Sequence, residues 1–221
     1  MKLELVGFKI CPFVQRVNIL IQHKAIPCVV TYLNPKEPPE WLAVLSPRGK
    51  VPLLKVDDSV LFESQVINEF LDETHPPPLL PADPLTRARD RGFVALADDL
   101  FGGLWHWMTA KDADKAVEAR TSLRHLLNVL ETSLNEGGAY FSGVEFGLVD
   151  CAFAPFFMRL DLLEASGAEA LTGQDLPRVA AYRKALASLP AVQASVVAEF
   201  PQLYLGFVKG QGGALGGQLE D

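Results

Sequence analysis

Three short stretches carry residue types that could do chemistry together. In "KICPFVQRV", residues 9–17, a cysteine stands directly before a proline and an aromatic. Pro12 suits the first position of a helix, where its missing N–H would be unpaired anyway. Cys11 would then occupy the N-cap, where free N–H groups and the helix dipole favour a thiolate. The competing reading is packing, because free cysteine is among the most buried residue types. In "GKVP", residues 49–52, a proline enters a strand after a loop. A cis bond there would leave the N–H and C=O of Val51 open to an extended peptide; a trans edge-strand proline would carry no such meaning. In "FES", residues 62–64, Ser64 is placed to cap a helix, with Glu63 beside it. A helix start also receives carboxylates, and a glutamate suits an ammonium. The two together describe the end of a γ-glutamyl peptide.

These residues need elements to hold them. "KLELVGF" reads as a strand, and "VQRVNILIQHKA" carries apolar Val14, Val17, Leu20 and Ile21 at helical spacing. "IPCVVTYL" is rich in β-branched residues and reads as a second strand. "PPEWLAVLS" suggests a short helix. "VPLLKV" and "SVLFE" flank Asp57-Asp58 as a hairpin, and "SQVINEFLDETH" reads as a helix capped by Ser64. The order is β-α-β-α-β-β-α. In the ten residues 75–84, five prolines break regular structure and make a stiff linker. Beyond it, helices are expected over about 84–110 and 113–135, from near Val149, and over about 176–188 and 190–199. The last stretch is Gly-rich and is expected to be a mobile tail. The expected organisation is an α/β domain over 1–76, a linker over 77–84, an all-α domain over 85–205 and a tail over 206–221.

Composition narrows the function. The chain has 221 residues, 49% of them apolar, enough for a substantial core and free of low-complexity blocks. A net charge of −7 argues against nucleic acid as the main ligand. No apolar run approaches the ~20 residues of a membrane span, and "MKLELVGFKI" lacks a cleavage signal. Three widely spaced cysteines, Cys11, Cys28 and Cys151, fit a reducing cytoplasm with free thiols. Four histidines show no metal-ligand spacing with each other or with the cysteines, so no metal is expected. Cys28 and Cys151 read as packing.

Cys-Pro-Phe, Val-Pro and Glu-Ser in this order resemble the cytosolic glutathione transferases. The matching segments are "CPFVQR", "SPRGKVPLL", "LFESQVINEFLDE" and "GLVDCAFAP", and the likeness runs over about 1–205. The first segment is similar to the cysteine-type classes, omega and dehydroascorbate-reductase-like. The resemblance implies a thioredoxin-like N-terminal domain followed by an all-helical domain, and glutathione as co-substrate. It implies that Cys11 forms a mixed disulfide with glutathione and that Phe13 lines the site. Val51 would pair its backbone with the cysteinyl part, Pro52 would be cis, and Glu63 and Ser64 would hold the γ-glutamyl ammonium and carboxylate. Asp150 would belong to a capping box, of which Gly147 supplies only the backbone half. A lysine that often precedes the "PEW" segment is here Pro38, so Lys36 is the candidate for the glycyl carboxylate, with a solvated surface lysine as the alternative. A cytoplasmic homodimer is expected.

In the helical domain, Phe101, Trp105 and Met108 fall on one helix face at i, i+4 and i+7. That face lines either a substrate pocket or the domain core; Tyr204 is a further pocket candidate. His106 lies off the face and reads as a satisfied structural histidine. Arg16 reads as a support for the helix or a source of positive potential, with a surface ion pair as the plain alternative. Because Val14 stands where a second cysteine would resolve a disulfide, the expected chemistry is monothiol, with a small hydrophobic or disulfide substrate. Glutathione-dependent isomerisation, dehalogenation or conjugation is the alternative within catalysis, and a non-catalytic regulatory protein of the same fold is the alternative outside it.

Overall fold

The computed structural model describes residues 1–219. The first part follows the expected order: β1 (Leu3–Gly7), α1 (Pro12–His23), β2 (Val29–Tyr32), α2 (Glu40–Leu45), β3 (Leu53–Val56), β4 (Ser59–Phe62) and α3 (Ser64–Thr74). The sheet order is β2-β1-β3-β4. β1 pairs with β2 in parallel and with β3 antiparallel, and Asp57-Asp58 turns β3 into β4. This is a thioredoxin-like domain. α2 covers one face of the sheet through Leu42, against Val6 and Leu53.

The second part is helical: α4 (Pro84–Thr109), α5 (Ala113–Ser133), α6 (Leu148–Ala165), α7 (Pro177–Ser188), α8 (Pro190–Gln193) and α9 (Phe200–Gly210). One apolar core joins the two parts, from Leu5, Val17 and Ile67 to Leu104 and Phe156. α1 lies at its centre. Every residue from Val14 to Ile21 is buried, polar ones included. The polar positions tolerate burial because the helical domain supplies partners: Gln15 donates to Ser195 Oγ at 3.1 Å and Asn18 to the Ser195 carbonyl at 2.8 Å.

Two expectations are corrected. The helix expected over 190–199 ends at Gln193, and a further helix, α9, follows. The Gly-rich segment expected to be mobile is docked as far as Leu219, with Glu220 and Asp221 outside the described residues. Leu215 and Leu219 are buried, Ala214 N–H donates to the Ala110 carbonyl at 2.7 Å, and Lys111 Nζ donates to the Gln211 carbonyl at 2.8 Å. Gly213 permits this approach, since a Cβ there would lie 2.1 Å from the Met108 carbonyl oxygen. The proline-rich segment is also anchored. Lys24 Nζ meets Asp72 at 2.5 Å and donates to the carbonyls of His75 and Pro77, while Asp72 accepts the N–H groups of Leu79 and Leu80.

Candidate active site

Cys11 is the N-cap of α1, Pro12 follows as the first helical residue, and the thiol makes no capping hydrogen bond. The end of β1 comes close to this helix start because Gly7 has no side chain; a Cβ there would sit 2.1 Å from Val14. Burial pushes the Cys11 thiol above its ordinary range. The N–H groups of Val14 and Phe13 and the guanidinium groups of Arg159 and Arg16 act in the opposite direction. The helix start therefore favours the thiolate as expected, but desolvation outweighs it.

On one side lies a polar cavity of about 230 Å³, lined by Val51, Pro52, Glu63 and Ser64 together with Arg48 and Lys50. The Val51–Pro52 peptide is cis. The ladder of β3 and β4 begins at Leu53 opposite Phe62, which leaves Val51 outside it. The start of α3 is one residue away from expectation. Glu63 is the N-cap, at φ 69°, and Ser64 is the first helical residue. The Ser64 hydroxyl accepts from Arg16 Nη1 at 3.3 Å instead of capping. Arg48 meets the Glu63 carboxylate at 2.7 Å.

On the other side a cavity of about 600 Å³ opens over Cys11. Phe101, Trp105, Met108 and Tyr204 all line it. The helical face left open between pocket and core serves both: Met108 and Tyr204 are buried, while Trp105 is 45% exposed. Phe13 and Asp98 line both cavities, so the two adjoin, and Cys11 lines the apolar one. Phe13 packs on Phe101 across the two domains at 5.5 Å between ring centroids. His106, expected as a satisfied structural residue, is exposed and lines this cavity. Lys36 is in neither lining; its exposed turn is held by its own N–H to Asn34 Oδ1 at 3.0 Å.

Two arginines exceed what the sequence reading gave them. Arg16 is not a surface cation: it is 1% exposed, it meets Asp98 of α4 at 2.5 Å, and its guanidinium stacks over Phe13. Arg159 of α6 was missed. It is buried in the lining of the apolar cavity and donates to Gln15 Oε1 at 2.6 Å and to the carbonyls of Pro155 and Ile10 at 2.7 and 2.8 Å. Its signal was one cation within the apolar run "CAFAPFFMRLDLL". Among the described residues no cluster of His, Cys, Asp or Glu could hold a metal, and no helix is long and apolar enough to cross a membrane.

Comparison with known proteins gives this arrangement its class. Residues 5–79 match the family model for the glutathione S-transferase N-terminal domain and residues 96–185 that for its C-terminal domain. The chain belongs to the glutathione S-transferase family. Within it, the chain is 31% identical over 211 residues to a Drosophila melanogaster protein named pyrimidodiazepine synthase, covering 90% of this chain and 84% of that one. It is 30% identical over 179 residues to glutathione S-transferase DHAR2 of Arabidopsis thaliana, covering 80% of each. Its fold superposes on glutathione transferase Omega 3C of Trametes versicolor with a TM-score of 0.82 at 27% identity, covering 96% and 92% of the two chains. The likeness is thus to omega and DHAR members.

Proposed function

We propose that the chain is a glutathione-dependent thiol transferase or reductase in which Cys11 is the nucleophile. The observation that carries this reading is a cysteine in the lining of an apolar cavity that shares Phe13 and Asp98 with a polar recess. Val51, Glu63 and Ser64 hold the backbone and γ-glutamyl end of glutathione, and Phe13 lines the site. Arg48 and Lys50, which line the recess where Lys36 does not, take the glycyl carboxylate.

The Cys11 thiolate attacks the glutathionyl sulfur of a mixed disulfide. A Cys11–glutathione disulfide forms and the acceptor thiolate leaves, taking a proton from solvent. The thiolate of a second glutathione then attacks, releasing oxidised glutathione and regenerating the Cys11 thiolate. Val14 provides no thiol to resolve the intermediate internally. Phe101, Trp105, Met108 and Tyr204 bind the apolar part of the acceptor, and the protein acts as a cytoplasmic homodimer. The test is mass spectrometry of protein treated with oxidised glutathione. One glutathionyl adduct on Cys11 is expected; an adduct on Cys28 or Cys151 with none on Cys11 refutes the reading.

A further inference from the structure

Two buried arginines line the adjoining cavities, Arg16 the polar one and Arg159 the apolar one with Cys11, and they differ in one respect. Arg16 is neutralised by Asp98. Arg159 is 2% exposed and, among the described residues, forms no ion pair with any carboxylate; its acceptors are an amide and two backbone carbonyls. It lies over the rings of Phe200 and Tyr204 at 5.0 and 5.5 Å. A cation buried without a counter-charge is costly, and such a group is ordinarily paired. One of its acceptors is the carbonyl of Ile10, the residue directly before Cys11, and it shares the cavity lining with the thiol.

We propose that Arg159 is a positioning residue for Cys11: through its bond to the Ile10 carbonyl and its place in the same lining, the helical domain supplies the counter-charge of the thiolate and offsets part of the cost of burying that anion. The other charged and titratable groups around the sulfur do not fill that role. Arg16 on α1 is paired with Asp98 on α4, and Lys9, just before Cys11, is paired with Glu199 at 2.6 Å. His106 on α4 is exposed, and burial pushes the Tyr204 hydroxyl on α9 well above its usual range, so it stays neutral. Burial lowers Arg159 itself to about 10, which leaves it a cation near neutrality. The proposal rests on the reading of Cys11 as nucleophile only for the use made of the thiolate.

The test is the pH dependence of Cys11 alkylation by iodoacetamide, followed at the Cys11 peptide by mass spectrometry, with no glutathione present. In Arg159→Gln the rate near pH 7 is expected to fall about tenfold, the equivalent of one pKa unit. The limiting alkaline rate stays within about twofold, and Arg159→Lys recovers most of the loss. An unchanged rate near pH 7, or an equal loss at every pH, overturns the proposal. A second arm needs no variant. In the wild type, the rate ratio of anionic iodoacetate to neutral iodoacetamide is expected to exceed that of a small free thiol in the same buffer at least about twofold; a ratio equal to or below the free thiol's overturns it. A shifted profile in a protein that forms no glutathionyl adduct would refute the proposed function and leave this inference standing.

Discussion

Two helix starts in this molecule solve the same problem in opposite ways. Each leaves several backbone N–H groups without intrahelical partners. At α6 the N-cap N–H is closed off: Asp150 accepts from Gly147 N–H at 2.7 Å, and ties the helix start to its surroundings by accepting from Phe141 N–H at 2.9 Å and the Tyr182 hydroxyl at 2.7 Å. At α1 the N-cap is Cys11, which makes no side-chain capping bond and opens onto the apolar cavity. The start of α3 resembles α1, since Ser64 spends its hydroxyl on Arg16. The closed start serves stability; on the proposed function, the open starts are where the ligand binds. Single substitutions at these starts can break that contrast.

The largest effect concerns Cys11. Cys11→Ser is expected to abolish thiol transfer, by at least about 10²-fold, since a hydroxyl at neutral pH is a far weaker nucleophile than a thiolate. Stability should be unchanged or higher by up to about 1 kcal/mol, because serine is a good N-cap. The two readouts should thus move in opposite directions. A loss of several kcal/mol in urea unfolding would mean that Cys11 supports the fold, and the contrast would be gone.

Asp150→Ala should do the reverse. It strands two N–H groups and a hydroxyl, and the expected loss is about 3 kcal/mol, with activity per folded molecule retained. The same residue gives a pH signature. Burial raises the Asp150 carboxyl to about 6, outweighing the bonds from Tyr182, Phe141 and Gly147 that pull it down. A carboxyl raised above its unfolded value binds more protons in the folded state, so stability falls as pH rises from about 4 to about 6. On this group's account the fall is about 3 kcal/mol. Asp150→Asn should flatten that slope, and an equal slope in both proteins would show that another group is responsible.

Ser64→Ala probes the open start of α3. Losing one hydrogen bond to a carboxylate is expected to weaken glutathione binding about five- to tenfold by calorimetry. Thermal stability should change little. Binding within twofold of the wild type would place the γ-glutamyl group elsewhere.

These starts differ too in how far they could be read ahead of the structure. Cys-Pro, Val-Pro and Glu-Ser were legible because each is a short-range device: a proline at a first turn, a proline at a strand entry, a polar pair at a helix start. The element order through α3 followed from apolar period and turn residues for the same reason. What failed depended on distant partners. Arg16 read as a support for the helix or a source of positive potential, with a surface ion pair as the alternative, and its partner went unnamed because Asp98 comes from another domain. Arg159 escaped notice because its role rests on Ile10 and Gln15, far away in sequence. The Gly-rich end read as mobile because its composition says so; only the fit of Gly213 against Met108 and the burial of Leu215 hold it. Ser64 was displaced by one residue, since the left-handed φ of Glu63 moves the cap and nothing in the composition signals it.

The smallest expected effect tests whether the closed start is closed as far as it can be. Gly147 has no side chain, so the box at α6 is built from Asp150 alone. Its backbone is extended, at φ −134°, a conformation any residue adopts. A Cβ there would meet Asp150 Oδ2 and the Leu79 carbonyl oxygen at 3.7 Å, ordinary contact distance. Gly147→Ser therefore fits without strain and adds a hydroxyl that can accept from the backbone of the first turn. Serine improves on glycine at an N-cap by only a few tenths of a kcal/mol, so the expected gain in urea unfolding is of that order. Thiol transfer should be unchanged, because the proposed site lies at α1 and α3. A loss of stability would mean that the new hydroxyl competes with Gly147 N–H for Asp150, and that the start of α6 was already complete.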